Sequence, residues 1–247
     1  MTLKIENVTG GYFGNTVLKD VSFTVNDGEL VGLIGLNGAG KSTTIQEIIG
    51  LLTPYQGQIS LDDLTITQQA EAYRQKIGFI PEQPALYEEL TLREHIEVTA
   101  LAYDVAIDVA MARADKLLKT FRLSDKLDWF PANFSKGMKQ KVMIICAFLT
   151  EPSLYIIDEP FLGLDPLAIN DLIALMLDMK KSGAAILMST HILSTAEKFC
   201  DKFIVLHEGQ VIADGDLAAL RAKFKLPDAS LDEIYVALTA ESWQAHG

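Results

Sequence analysis

The sequence predicts an α/β fold with a parallel-sheet core, an N-terminal antiparallel β region and an inserted α-helical lobe. Three observations predict it. Apolar runs of strand length recur in the first third of the chain and again after residue 150. A long stretch of helical character, without a strong strand, separates the two regions. Two junctions, at Lys41-Ser42 and Asp165-Pro166, then carry residues that open helices.

The first runs are Leu3 to Val8, Val17 to Val25 and Glu29 to Gly35. Gly10-Gly11 and Asn26-Asp27-Gly28 break them, as turns between strands do. After Lys41 the apolar residues Ile45, Ile48, Ile49 and Leu52 fall on one helical face. Thr91 to Leu149 reads as mainly helical. From Ser153 the β-α alternation resumes: Leu154 to Ile157 is a short apolar run of the kind that forms a buried parallel strand. Asp165 caps the next helix, Pro166 fits its first position and Gly183 ends it. Ala185 to Met188 and Phe203 to Leu206 are two further buried strands. Beyond Lys223 one amphipathic helix carries Leu231, Ile234, Tyr235 and Leu238 before a polar end. The expected organisation is a unit over 1–222, with its core in 1–84 and 150–222 and a helical lobe in 85–149. A short helical tail follows over 223–247.

Composition narrows the function. Hydrophobic residues make up 49% and charged residues 22% of the 247, an ordinary globular balance. The net charge of −12 repels phosphate backbones and anionic headgroups, so no nucleic-acid partner is expected. The N-terminus lacks an apolar core of signal-peptide length. The longest apolar run, Val142 to Leu149, is far short of the roughly 20 residues a membrane-spanning helix needs. A cytosolic chain is expected, and any membrane role must run through a partner. Cys146 and Cys200 have no metal-ligand spacing and read as small hydrophobes rather than a disulfide.

The strongest motif is Gly35-Leu36-Asn37-Gly38-Ala39-Gly40-Lys41-Ser42, with Thr43 just inside the helix. Glycines let backbone N–H groups converge on a phosphate, and the helix beginning near Lys41 adds the positive end of its dipole. Lys41 is expected to bridge the β- and γ-phosphates of a nucleotide and Ser42 to bind Mg²⁺. A loop of this kind serves kinases, GTPases and motor ATPases alike. Leu154-Tyr155-Ile156-Ile157-Asp158-Glu159 supplies a second half. Asp158, at a strand's carboxyl end, is placed to hold the metal through water, and Glu159 to polarise an attacking water. His191, after the strand Ala185 to Met188, stands at a third strand terminus on the edge where open α/β sheets bind ligands. There it is expected to contact the γ-phosphate and orient Glu159.

Phe134-Ser135-Lys136-Gly137-Met138-Lys139-Gln140-Lys141 resembles the signature of the ATP-binding cassette (ABC) ATPases. Leu162-Gly163-Leu164-Asp165 resembles their D-loop, and His191 their switch histidine. The order of these motifs over Gly35 to His191 is the order of the family. The resemblance implies a P-loop NTPase (RecA-like) core that binds and hydrolyses ATP with Mg²⁺, and two copies that sandwich two ATPs head to tail. Ser135 and Gly137 of one copy would then meet the γ-phosphate held by Lys41 of the other, and Asp165 would lie near the dimer axis. Tyr12 stands where the family places an aromatic on adenine; an ordinary hairpin aromatic is the alternative. The further partner implied is a transmembrane permease subunit, which would hold the chain at the cytoplasmic face of the cell membrane, and export is the implied direction.

Three positions depart from the family pattern. Lys136 replaces the first signature glycine and Met138 the signature glutamine. Glu82 occupies the Q-loop glutamine position, with Gln83 one residue later, and either one can serve. Glu82 can coordinate Mg²⁺ or orient water. A competing reading is a non-transport ABC ATPase acting on DNA or the ribosome. Such proteins carry coiled-coil insertions, tandem cassettes or basic surfaces; this chain has one phosphate loop, one signature, a short lobe and an acidic balance. A GTPase would need an Asn-Lys-x-Asp guanine reader, which is missing.

Overall fold

The structure is a computed structural model and describes residues 2–237. Two long strands, β1 (Leu3–Tyr12) and β2 (Asn15–Val25), form a hairpin, and β3 (Leu30–Ile34) leads into α1 (Lys41–Ile48). Next come β4 (Gln56–Leu61), α2 (Ala70–Gln75) and β5 (Ile77–Ile80). Three helices then follow without a strand: α3 (Leu92–Ala102), α4 (Ile107–Phe121) and α5 (Lys136–Leu149). Strands and helices alternate again in β6 (Leu154–Asp158), α6 (Pro166–Lys181), β7 (Ala185–Ser189) and α7 (Leu193–Ala196). The antiparallel pair β8 (Lys202–His207) and β9 (Gln210–Gly215) precedes α8 (Leu217–Phe224), and residues 231–237 are helical once more. Leu238, read from the sequence as part of that last helix, lies outside the described residues.

Two sheets result. The smaller is antiparallel in the order β2-β1-β4; the larger runs β5-β6-β7-β3-β8-β9 and is parallel except for β9 at one edge. The side-chain alternation of a strand divides the interior in two. In β6, Leu154 and Ile156 face the core shared with the small sheet, while Tyr155 and Ile157 face the core under the helices. Ile45 and Ile48 of α1 join the former core, so the helix after the glycine loop is clamped between the sheets. Ile49 and Leu52, past the end of α1, are only half-buried. Phe148 of α5 stacks on Tyr155 with ring centroids 4.5 Å apart, which fixes the helical layer to the sheet.

Local chemistry sets the helix starts. Thr91 and Glu94 form a reciprocal capping box on α3. Asp165 caps α6 with Pro166 in its first turn, and Gly183 takes φ 96° after its end. Both cysteines are free thiols. The strands β4, β5 and β9 complete the two sheets beyond the runs evident from sequence.

One buried group stands out. Glu47 of α1 is 1% exposed and neither carboxyl oxygen has a hydrogen-bond partner. A Cβ on Gly10 would lie 1.7 Å from Glu47 Oε1, so the glycine in β1 makes room for it. Burial pushes the carboxyl up to about 7. The unfolded chain therefore sheds this proton at lower pH than the folded chain does. The group's contribution is neutral below pH 4.5, becomes destabilising as pH rises from 4.5 to 7, and levels off above that at about 3 kcal/mol. Glu47→Gln is expected to remove that slope. In thermal denaturation its melting temperature should exceed that of the parent more at pH 8 than at pH 5, and an equal difference at both would contradict the assignment.

Candidate functional site

The centre of the large sheet assembles the site. β6, β7 and β3 are adjacent and parallel, so their carboxyl ends open on one edge. Ser189 is in register with Leu33 on one side and Asp158 on the other. The loop Gly35 to Ser42, the pair Asp158-Glu159 and the segment Ser189 to His191 consequently leave the sheet side by side.

The loop's glycines are needed where it closes on its surroundings. A Cβ on Gly35 would sit 2.6 Å from the Leu206 carbonyl oxygen, and Gly40, at the start of α1, has φ 110°. Lys41 is buried, and its ammonium donates to the Gly35 carbonyl at 2.7 Å and more weakly to Leu36 at 3.4 Å. Desolvation lowers its pKa, offset in part by the carboxylates of Glu159, Asp158 and Glu82.

Asp158 is also buried, and desolvation raises its pKa while a hydrogen bond from the Ser189 hydroxyl opposes the rise. Ser189 uses both sides of that hydroxyl, since its oxygen accepts the Glu159 backbone N–H at 3.1 Å. Glu159 adopts φ 47°, a left-handed conformation held by this bond and by a second one from the same N–H to the Ser189 carbonyl at 3.2 Å. Its side-chain Oε2 meets His191 Nδ1 at 2.8 Å and accepts the His191 backbone N–H at 3.3 Å. The carboxylate is thus aimed by two strand ends at once.

These groups line a cleft of 610 Å³. Gly35, Leu36, Asn37, Lys41, Ser42, Glu82, Asp158, Glu159 and His191 all contribute to its wall; Gln83 does not. Gly38, Ala39, Gly40 and Thr43 belong to the same loop and helix start without lining the cleft. Tyr12 stands apart at the end of β1, where its hydroxyl donates to the Gln46 side chain at 2.6 Å.

Ser135, Gly137 and Asp165 are outside the cleft. Ser135 caps α5, its exposed hydroxyl accepting the Met138 N–H at 3.3 Å. A Cβ on Gly137 would meet the Gly163 carbonyl oxygen at 2.4 Å, so the start of α5 packs on the loop after β6. The aliphatic stem of Lys136 runs past Gly163, with three of its carbons 3.6–3.8 Å from where a Cβ there would be. Lys141 pairs with Asp165 at 3.0 Å, and the Asp165 carboxyl is held below the usual range first by the Ala168 backbone N–H and then by Lys141.

Two contributions were not visible in sequence. Ser189 carries no motif of its own, though it ties Asp158 to Glu159. Leu162, Leu193 and three residues of the last described helix, Asp232, Tyr235 and Val236, complete the cleft wall. Ser189→Ala leaves Asp158 buried without its donor and is expected to destabilise the fold by about 1–3 kcal/mol. Denaturant unfolding measures this, and a loss below about 0.5 kcal/mol would show that the hydroxyl is dispensable.

As chemistry, the described lining of the cleft offers one desolvated cation, Lys41, beside the glycine loop, the Ser42 and Tyr235 hydroxyls and the four carboxylates of Glu82, Asp158, Glu159 and Asp232. An anion fits the first set. The oxygen donors of Ser42, Asp158 and Glu82 suit a hard divalent cation. Among the described residues no three His, Cys, Asp or Glu side chains are grouped to hold a metal unaided. Mg²⁺ seldom needs such a cage, because it shares its shell with phosphate oxygens and water.

Residues 18–162 match the family model described as ABC transporter. The chain is 59% identical over 239 residues to the ABC-type transporter ATP-binding protein EcsA of Bacillus subtilis, covering 97% of each chain. A solved structure of the ATP-binding subunit of an ABC transporter superposes with a TM-score of 0.94 at 56% identity, covering 97% of this chain and 100% of that one. An ATP-binding cassette in a dimeric post-hydrolysis state bound to ADP and Pi superposes with a TM-score of 0.79 at 28% identity, over 87% of this chain and 98% of the other.

Proposed function

The chain belongs to the ABC transporter family as an ATP-binding, ATP-hydrolysing subunit, and from that premise we propose that it drives an exporter by clamping two copies of itself on ATP beneath a separate permease. The observation that carries the proposal is the split between its motifs. The loop, Asp158, Glu159 and His191 share one cleft, while Ser135 and Gly137 of the same chain lie outside it. A second copy, turned head to tail, would bring its own Ser135 and the N-terminus of its α5 to the phosphate held by Lys41. The dimeric cassette holding ADP and Pi supports this arrangement.

In this reading ATP enters along the loop and Lys41 leaves the Gly35 and Leu36 carbonyls to grip the phosphates. Mg²⁺, held by Ser42, Asp158 and Glu82, would neutralise phosphate charge. Glu159 accepts the proton of the attacking water, and His191 holds the carboxylate in line. Tyr12 would offer its ring to adenine, stiffened by its bond to Gln46. Asp165, tied to Lys141, would lie near the dimer axis.

Among the described residues no helix is long and apolar enough to cross a membrane, so transport requires another chain. We take that chain to be an EcsB-like permease, which would place this subunit at the cytoplasmic face of the membrane. We infer export as the direction, with the EcsA likeness and the departures at Lys136, Met138 and Glu82 from the signature and Q-loop patterns as its support. Affinity capture from solubilised membranes tests the assignment. A polytopic protein without its own phosphate loop is expected; recovery of ribosomes or DNA instead would overturn it in favour of a non-transport ATPase.

A further inference from the structure

The wall of the cleft facing the phosphate loop is not part of the catalytic core. It is built by the helix over residues 231–237, through Asp232, Tyr235 and Val236. This helix is docked with care. Leu231 and Ile234 are fully buried in the helical-side core, which also holds Leu193 and Ala196. The Leu231 N–H donates to Glu197 Oε2 at 2.7 Å, and Arg221 of α8 donates to the Ala229 carbonyl at 2.7 Å. Ser230 and Glu233 cap the helix start reciprocally, the Ser230 N–H reaching Glu233 Oε2 at 2.8 Å and the Glu233 N–H reaching Ser230 Oγ at 3.3 Å. Docked so, the helix turns the Tyr235 hydroxyl oxygen towards the backbone N–H of Leu36 in the phosphate loop.

We propose that this C-terminal helix is a gate on the nucleotide cleft, closed in the solitary subunit and displaced when ATP and the second copy engage the loop. The inference rests on the reading of the loop as the ATP site. Three physical arguments support it. First, the helix shares the cleft wall with Leu36, Asn37 and Lys41, so it competes for the space over the loop with a triphosphate and with whatever closes on it. Second, Asp232 adds a carboxylate to a cleft that already holds Glu82, Asp158 and Glu159 against the single ammonium of Lys41. Triphosphate binding and gate closure therefore oppose each other electrostatically. Third, the contacts that anchor the described part of the helix gather at its start, in Leu231, Ile234 and the bonds of Ser230 and Glu197, so local release of the turn over Tyr235 and Val236 is within reach of a ligand's binding energy. Closure then lowers apparent ATP affinity by the fraction of open molecules, and by reciprocity ATP must loosen the helix.

Hydrogen exchange on the full chain carrying Glu159→Gln, with and without saturating Mg-ATP, reads the gate directly. Amides of residues 234–237 are expected to exchange at least tenfold faster with ATP, while those of 38–43 become protected. A second measurement keeps Leu231 and Ile234 so that the helix still docks. The variant Asp232→Ser/Tyr235→Phe is expected to bind a fluorescent ATP analogue about five- to tenfold more tightly than the parent, in proportion to the open fraction it gains. Tail amides that stay equally or better protected with ATP bound, or an affinity within twofold of the parent or weaker, would overturn the gate and leave the ATP site standing. Amides of 38–43 that ATP leaves unprotected would sink the loop reading, and the gate with it.

Discussion

Replacing Glu159 by Gln is expected to lower ATP hydrolysis by about 10²–10⁴-fold, the range spanned by loss of a positioned general base, while ATP binding stays near that of the parent. The amide has the shape of the carboxylate and an oxygen that can still face His191, so the 2.8 Å contact need not be lost. What it lacks is basicity: it cannot take a proton from water. It also removes one negative charge from a cleft in which Lys41 is the one cation among the described lining residues, so binding of a triphosphate is not weakened. Bound ATP that cannot be cleaved should then accumulate as a dimer, visible as a doubled mass in sedimentation with ATP and absent without it. Normal turnover in this variant would sink the assignment of Glu159 as base.

Lys41→Ala acts on the other side of the same chemistry. A charge-assisted hydrogen bond contributes about 1.5–3 kcal/mol, so ATP affinity is expected to fall by about 10–150-fold. The fold should survive, because alanine suits the first turn of α1 and the change removes a desolvated ammonium. Circular dichroism separates this from unfolding, and titration with a fluorescent nucleotide gives the affinity. Unchanged affinity would remove the phosphate-loop assignment. Lys41→Arg is not a milder version of the experiment. The ammonium sits within 2.7 Å of the Gly35 carbonyl in a buried niche, and a planar guanidinium does not fit there without moving the loop.

The large architecture is legible in the chain because its central strands are buried on both faces. Leu154 to Ile157 and Ala185 to Met188 are continuous apolar runs for that reason, and the glycine loop marks where β3 ends. The edge strands are harder to see. β4 begins with the exposed Gln56-Gly57-Gln58, β5 has only four residues, and β9 is half-exposed and starts with Gln210. None has a clear period-two pattern of its own; pairing with a neighbour is what makes each a strand.

The site divides in the same way. Lys41, Ser42, Asp158 and Glu159 stand in contiguous motifs, and the structure brings them into one cleft with His191. Ser189 acts through its register with Asp158, a relation 31 residues long that no local pattern encodes. The helix over 231–237 was evident as an amphipathic segment, but its docking partner was not. Leu231, Ile234 and Tyr235 announce that one face is buried, whereas Asp232 looks like an ordinary surface residue until the cleft is placed against it.

The packing of Gly137 on Gly163, reinforced by Lys141 and Asp165, has a consequence for a two-copy machine. In the arrangement proposed above, each chain lends the start of α5 to one nucleotide and the loop after β6 to the other. Those two segments pack directly on each other: Gly137 leaves no room for a Cβ beside the Gly163 carbonyl, and Lys141 pairs with Asp165 at 3.0 Å, so a shift of one is felt by the other. In that arrangement occupancy of one nucleotide would be passed mechanically to its twin. The pair would then behave as a cooperative unit whose two turnovers are not statistically independent, through packing that lies wholly within each protomer.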